Sequence, residues 1–119
     1  MEKENRPWGY YTVLLDTPDY KVKEILVRPK NRLSYQLHHK RSEHWYIVQG
    51  EAVITLDDKN IVVKKGGYID IPVEHKHRIS NNGEQDVIFI ETQTGEYFGE
   101  DDIERFEDDY GRSSNTDLN

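Results

Sequence analysis

The stretch Tyr35–Gly50, YQLHHKRSEHWYIVQG, holds three of the chain's five histidines, and its reading decides the fold. His38 and His39 are adjacent, and adjacent residues on an extended strand point to opposite faces. They are therefore not two inward ligands of one ion. Gln36 and His38, two apart, share a face, with Leu37 and His39 on the other. Further on, Glu43, Trp45 and Ile47 share one face, while His44, Tyr46 and Val48 take the opposite one. A hairpin joining these two strands brings Gln36, His38 and Glu43 together at one end of a barrel. In GGYIDIPVEHKHRISN (66–81), His75 and His77 share a face if the chain is extended there, and Pro72 signals a turn just before them. An amide oxygen, imidazole nitrogens and a carboxylate form a mixed N/O set with room for water or substrate. Such a set suits one divalent ion such as zinc, manganese, nickel, cobalt or iron, and spacing alone does not choose among these.

Outward from this stretch, the periodicity predicts strands at 20–28, 42–49, 52–58, 60–65, 67–72, 76–81 and 86–93. Each is short, rich in β-branched and aromatic residues, and bounded by turn formers such as NNGE and KKGG. LDDKN reads as a hairpin turn. Many short, closely spaced strands predict an all-β sandwich or barrel. The only helical expectation is 100–109, where Ile103 and Phe106 sit three apart behind an acidic start. Residues 113–119 read as a disordered tail.

The composition sets limits. One domain accounts for 119 residues. No apolar run approaches the roughly 18 residues of a membrane span, and the start lacks a signal-peptide segment. With no cysteine there is neither a disulfide nor a zinc–thiolate site. A cytoplasmic location is the simplest expectation. The net charge of −7 is carried by residues 96–119, with nine acidic and two basic side chains, while residues 1–95 hold fourteen of each. Nothing forms the basic stripe of a nucleic-acid binder, so no nucleic-acid or membrane partner is expected.

Two spaced motifs then give a resemblance. Lys30, five residues, Gln36-Leu37-His38, four residues, Glu43, six residues and Gly50 resemble the first cupin motif. Gly66, five residues, Pro72-Val73-Glu74, two residues, His77, three residues and Asn81 resemble the second. Lys30 and Glu74 stand where the pattern has glycine, and Gln36 where it usually has histidine. RPWGYYTVL (6–14), YKVKEILVRP (20–29) and GEYFGEDDIERFEDDYGR (95–112) narrow the resemblance. They are similar to type II phosphomannose isomerase, the C-terminal cupin domain of the bifunctional mannose-1-phosphate guanylyltransferase/mannose-6-phosphate isomerases. The nucleotidyltransferase half has no counterpart in the chain.

The resemblance implies a cupin-type double-stranded β-helix over 1–112, with a short C-terminal helical segment. It also implies one divalent metal held by Gln36, His38, Glu43 and His77, and a homodimer. The implied reaction interconverts mannose 6-phosphate and fructose 6-phosphate through an enediolate, on a route to polysaccharide precursors. Arg112, in Tyr110-Gly111-Arg112, matches the family's essential arginine. A guanidinium offers a planar fork to a phosphate or an enediolate. Lys40 and Arg41 are further candidates for substrate binding. The catalytic base stays open between Glu91 and His75, because Glu43 is committed to metal. His39 and His44 face away from the ligand side, and Trp8 and Trp45 read as core or interface residues. The rival readings are a non-catalytic sugar- or metal-binding cupin assisting a separate guanylyltransferase, and another metal enzyme on the same barrel, such as a dioxygenase.

Overall fold

In the computed structural model, which describes residues 1–110, alternating side chains divide cleanly between an interior and solvent. Along Arg41–Gln49 the inward residues are Arg41, Glu43, Trp45 and Ile47, all buried, and Tyr46 and Val48 are exposed. The described residues form twelve strands and no helix. These are β1 (Lys3–Arg6), β2 (Gly9–Asp16), β3 (Tyr20–Val27), β4 (Asn31–Arg32), β5 (Tyr35–Leu37) and β6 (Arg41–Gln49). Then follow β7 (Glu51–Leu56), β8 (Lys59–Lys64), β9 (Tyr68–Ile71), β10 (His77–Asn81), β11 (Val87–Gly95) and β12 (Glu104–Glu107). All pairings are antiparallel. One sheet runs β1-β2-β3-β11-β6-β9; the other runs β12-β5-β10-β7-β8, with β4 also on β10. The interleaving of early and late strands (β3-β11-β6 and β5-β10-β7) makes the double-stranded β-helix expected from the sequence.

Three adjacent strands show how this fold positions a site. The register sets Val27 beside Val87, then Ile25–Phe89–Ile47, then Lys23–Glu91–Trp45, then Lys21–Gln93–Glu43. The same inner face thus passes from apolar to charged along the barrel. Ile54, Ala52, Ile79 and Ile71 complete the apolar end, all nearly inaccessible to solvent. Burial of such side chains contributes roughly 1.5–3 kcal/mol each, which offsets the cost of the polar end.

Motif spacing also has a backbone reason. Lys30, Gly50, Gly66 and Glu74 have φ of 65°, 87°, 88° and 64°. The two positions that depart from the cupin glycine pattern therefore keep the left-handed backbone that glycine adopts without strain. LDDKN closes β7 to β8 through Asp57 and Asp58, both at positive φ, as a two-residue hairpin demands.

The helix expected over 100–109 does not form. Gly99–Asp102 turns, and Glu104–Glu107 runs as β12 against β5. A single apolar pair, Ile103 and Phe106, gives a helix little to bury. The edge of β5 meanwhile offers unpaired backbone groups that a strand satisfies.

Candidate metal centre and its cavity

His38, Glu43 and His77 converge at the polar end, with one ligand atom from each lying within 4.8 Å of the others. Glu43 comes from β6 and His77 from β10, and His38 directly follows β5. Register brings them together, because His77 pairs across the ladder with Gln36. His38 Nδ1 lies 2.6 Å from the carbonyl oxygen of Asp102, and His77 Nδ1 lies 2.9 Å from that of His75. A carbonyl only accepts, so both Nδ1 atoms carry the proton, leaving both Nε2 lone pairs towards Glu43. His38 Nε2 is 3.3 Å from Glu43 Oε2, and His77 Nε2 is 3.9 Å from Oε1. Metal-binding histidines are normally fixed in this way by a partner on the far ring nitrogen.

Charge states agree with that role. Burial pushes His38 down to about 4 and also lowers His77, so both imidazoles are neutral at neutral pH. Burial alone would raise Glu43, but His38, His77 and Arg41 together hold it well below the usual carboxylate range. Its Oε1 accepts from the Trp45 indole at 2.9 Å and its Oε2 from Arg41 Nε at 2.9 Å. Gln36 Nε2 donates to Ser34 Oγ at 2.8 Å, which leaves the amide oxygen as the atom a cation would take. Two neutral imidazoles, a carboxylate and an amide oxygen fit a borderline divalent ion.

The centre opens into a cavity of about 490 Å³, within the usual size range of small-ligand sites. Glu91 lines it, fully buried and hydrogen-bonded to Glu43. Burial first, and the charge of Glu43 second, push it up to about 8. Two carboxyls in contact are thus driven apart, one ionised and one protonated. Arg41 also lines the cavity. Its Nη2 lies 3.3 Å from His38 Nε2, and its buried Nη1 has no hydrogen-bond partner among the described residues.

Other sequence candidates lie elsewhere. Lys40 is exposed, with its Nζ 5.2 Å above the Tyr97 ring. His75 sits in the turn before β10, because the left-handed Glu74 breaks the extended chain. His75 Nδ1 meets Asp57 at the surface, and the residue does not line the cavity. His39 and His44 face outward, pairing with Glu74 and Glu104, and with Asp70. Arg112 lies outside the described residues, as does the tail 113–119. Trp8 and Trp45 are core residues that also line the cavity.

The sequence reading missed Arg6, Tyr11, Lys23, Glu100 and Asp102. Lys23 had a legible signal: it shares parity with Ile25 and Val27 in an alternating strand, which sends it inward. Asp102 had none, since it reaches His38 across 64 residues of chain.

Comparison with known proteins agrees with this geometry. Residues 1–108 match the family model described as "Mannose-6-phosphate isomerase C-terminal". The chain is similar to the alginate biosynthesis protein AlgA of Pseudomonas aeruginosa, at 46% identity over 92% of the chain and 23% of that protein. It is also similar to a mannose-1-phosphate guanylyltransferase of Klebsiella pneumoniae, at 39% identity over 90% of the chain and 23% of that protein. The chain therefore spans about a quarter of the length of these curated relatives. Among solved structures, the cupin domain of Schizosaccharomyces pombe Cnp3 superposes with a TM-score of 0.70 at 17% identity. That match covers 72% of this chain and 64% of the other, and shows the fold alone. A cupin-type barrel, a His–Glu–His centre and a family match over nearly all the described residues lead to one assignment: the chain belongs to the mannose-6-phosphate isomerase C-terminal family.

Proposed function

We propose that the chain is a metal-dependent aldose–ketose isomerase that interconverts mannose 6-phosphate and fructose 6-phosphate, upstream of polysaccharide precursors. The observation that carries this reading is the pair of buried carboxyls, Glu43 in the His38–Glu43–His77 cluster and Glu91 beside it, in one cavity, with Glu43 held low and Glu91 pushed up. Carboxyls whose surroundings push them apart mark an acid–base assignment. Glu91, on losing its own proton, takes the proton from C2 of the aldose and returns it to C1, while the C2 hydroxyl proton passes to O1. Arg41 directs its unpartnered Nη1 at the sugar oxygens that gain negative charge, supplying a charge-assisted bond of roughly 1.5–3 kcal/mol. Gln36, His38, Glu43 and His77 would hold the ion, and the ion when bound supplies Lewis-acid polarisation of the sugar carbonyl. Zinc, manganese, cobalt, nickel and iron all suit the donor set.

A coupled assay of metal-loaded protein with mannose 6-phosphate tests the reading. Turnover is expected, and Glu91→Gln should cut kcat by about 100-fold or more, in line with general-base contributions, with bound metal unchanged. No turnover in metal-saturated protein overturns it.

Arg41 lying across Glu43 and His38 favours a second reading, a non-catalytic sugar-phosphate-binding cupin. Binding of mannose 6-phosphate without turnover would select that one. A homodimer belongs to the main proposal. Tyr46, Val48 and Tyr68 leave an exposed apolar patch beside the free edge of β9.

A further inference from the structure

In the same cavity, two cations converge on one aromatic ring. Lys23 Nζ lies 4.3 Å from the Tyr11 ring centroid and the Arg6 guanidinium carbon lies 5.1 Å from it. Arg6 Nη2 reaches the Tyr11 hydroxyl at 3.4 Å, and all three residues line the cavity. Lys23 is only 4% exposed; its ammonium meets Glu100 at 2.6 Å, and Glu91 stands beside it across the ladder. Arg6 forms no ion pair among the described residues; its remaining bond is to the Asn5 carbonyl. Arg6 thus brings to the cavity a cation without a carboxylate partner among the described residues, beside Lys23, whose partner Glu100 also meets Lys21 at 3.7 Å. An anion with several acceptor oxygens supplies what Arg6 lacks and reaches Lys23 as well.

The sheet register gives this cluster its place relative to the metal centre. Lys23, Glu91 and Trp45 stand side by side on β3, β11 and β6, and Trp45 bonds Glu43. Two strand spacings separate Lys23 from Trp45, about 10 Å across the sheet, with Glu91 midway. A six-carbon sugar bearing a terminal phosphate spans a comparable length.

We propose that Arg6, Tyr11 and Lys23 form the subsite for the phosphoryl group of a small sugar phosphate, with Glu100 occupying Lys23 until that group arrives. This inference rests on the isomerase reading for the orientation of the sugar: reacting carbons at His38, Glu43 and His77, Glu91 beneath them, phosphate at Lys23. Glu100 stands on the segment between β11 and β12 and its side chain is about half exposed, so it can yield its place.

Calorimetric binding of mannose 6-phosphate, mannose and inorganic phosphate to the full chain, with and without metal, tests the subsite. In wild-type protein, mannose 6-phosphate should bind at least tenfold more tightly than mannose. Arg6→Gln and Lys23→Met should each weaken the phosphorylated sugar by about 10- to 100-fold, the range for one charge-assisted contact, while mannose affinity and metal content stay as in wild type. Glu100→Gln should act in the opposite sense and tighten mannose 6-phosphate and inorganic phosphate several-fold, because Lys23 loses its competitor. An unchanged ratio of phosphorylated to plain sugar in the folded Arg6→Gln protein overturns the subsite and leaves the isomerase reading standing. Phosphate binding that depends on Arg6, in a protein that isomerises nothing, overturns the isomerase reading and keeps the subsite. Wild-type protein that binds no phosphorylated sugar overturns both.

Discussion

Asp102 makes three hydrogen bonds to three consecutive residues, the ligand candidate His38 and its neighbours His39 and Lys40. Its carbonyl accepts from His38 Nδ1, and its two carboxylate oxygens accept from the backbone N–H groups of His39 and Lys40, each at 3.0 Å. The loop after β5 and the tautomer of His38 thus rest on a residue that does not line the cavity. Asp102→Ala keeps the carbonyl behind His38 but removes both carboxylate acceptors that fix the loop presenting it, so metal affinity should fall by about tenfold. Asp102→Asn, which keeps one acceptor, should fall between. Metal titration, with the His38 ring-nitrogen NMR signals as a tautomer readout, checks this, and wild-type affinity in the alanine variant would refute it. A second residue-scale effect is on pH. Glu91 stands at about 8 in the folded chain against an ordinary 4.5, so between those values the folded state holds a proton that the unfolded state has lost, and stability falls as pH rises. His38 works the other way: with its value at about 4 instead of 6.5, stability rises with pH across that window, and His77 adds to it. Urea unfolding of metal-free protein should therefore show greatest stability near pH 6.5, and Glu91→Gln should remove the decline towards pH 8. A wild-type curve still climbing at pH 8 would speak against a protonated Glu91.

Among the elements, the turns carry the family pattern more than the strands do. Lys30 holds its left-handed backbone with a bond from its N–H to the Asn81 carbonyl at 2.8 Å, while its ammonium pairs with Glu84 at the surface. A left-handed non-glycine residue costs about 1–2 kcal/mol, part of which glycine returns through its greater unfolded freedom. Lys30→Gly should therefore stabilise the protein by about 0.5–1 kcal/mol, or several degrees in Tm. A drop in Tm by scanning calorimetry would show that the exposed Glu84 pair outweighs the strain. Glu74 is a poorer choice for this test, because its carboxylate meets His39.

For the whole molecule, the barrel's outer surface raises the question of assembly. Among the described residues β9 pairs with β6 on one side only, and Tyr68 on it is 63% exposed, stacked at 5.1 Å on His44. Tyr46 and Val48 extend the apolar patch along β6. An edge strand flanked by apolar side chains is a ready site for pairing with another copy. Light scattering at micromolar concentration should report a dimer, and Tyr68→Lys should shift it towards monomer without loss of bound metal. A monomeric wild-type protein would end the expectation.

Much of this was written locally. Period-two alternation exposes strand faces one strand at a time, so the seven central strands and the shared faces of Gln36 with His38 and of Glu43 with Trp45 were legible in the residues. The spacing from Lys30 to Gly50 and from Gly66 to Asn81 was legible too, because left-handed turns recur at defined offsets from the strands they join. Arg41 shares parity with Glu43, yet the sequence reading left it in a loop; only the observed start of β6 turned it inward. Parity does not reach His75, because β10 begins only at His77 and the chain just before it is a turn, not a strand. Tertiary structure alone decided the rest. Whether 100–109 forms a helix or a strand depended on the open edge of β5, which no residue of that segment encodes. Lys23 meets Glu100 across 77 residues and His38 meets Asp102 across 64. Such contacts exist only once the barrel has closed, because closure, and not local pattern, determines which edges stay unpaired and which buried charges must share one cavity.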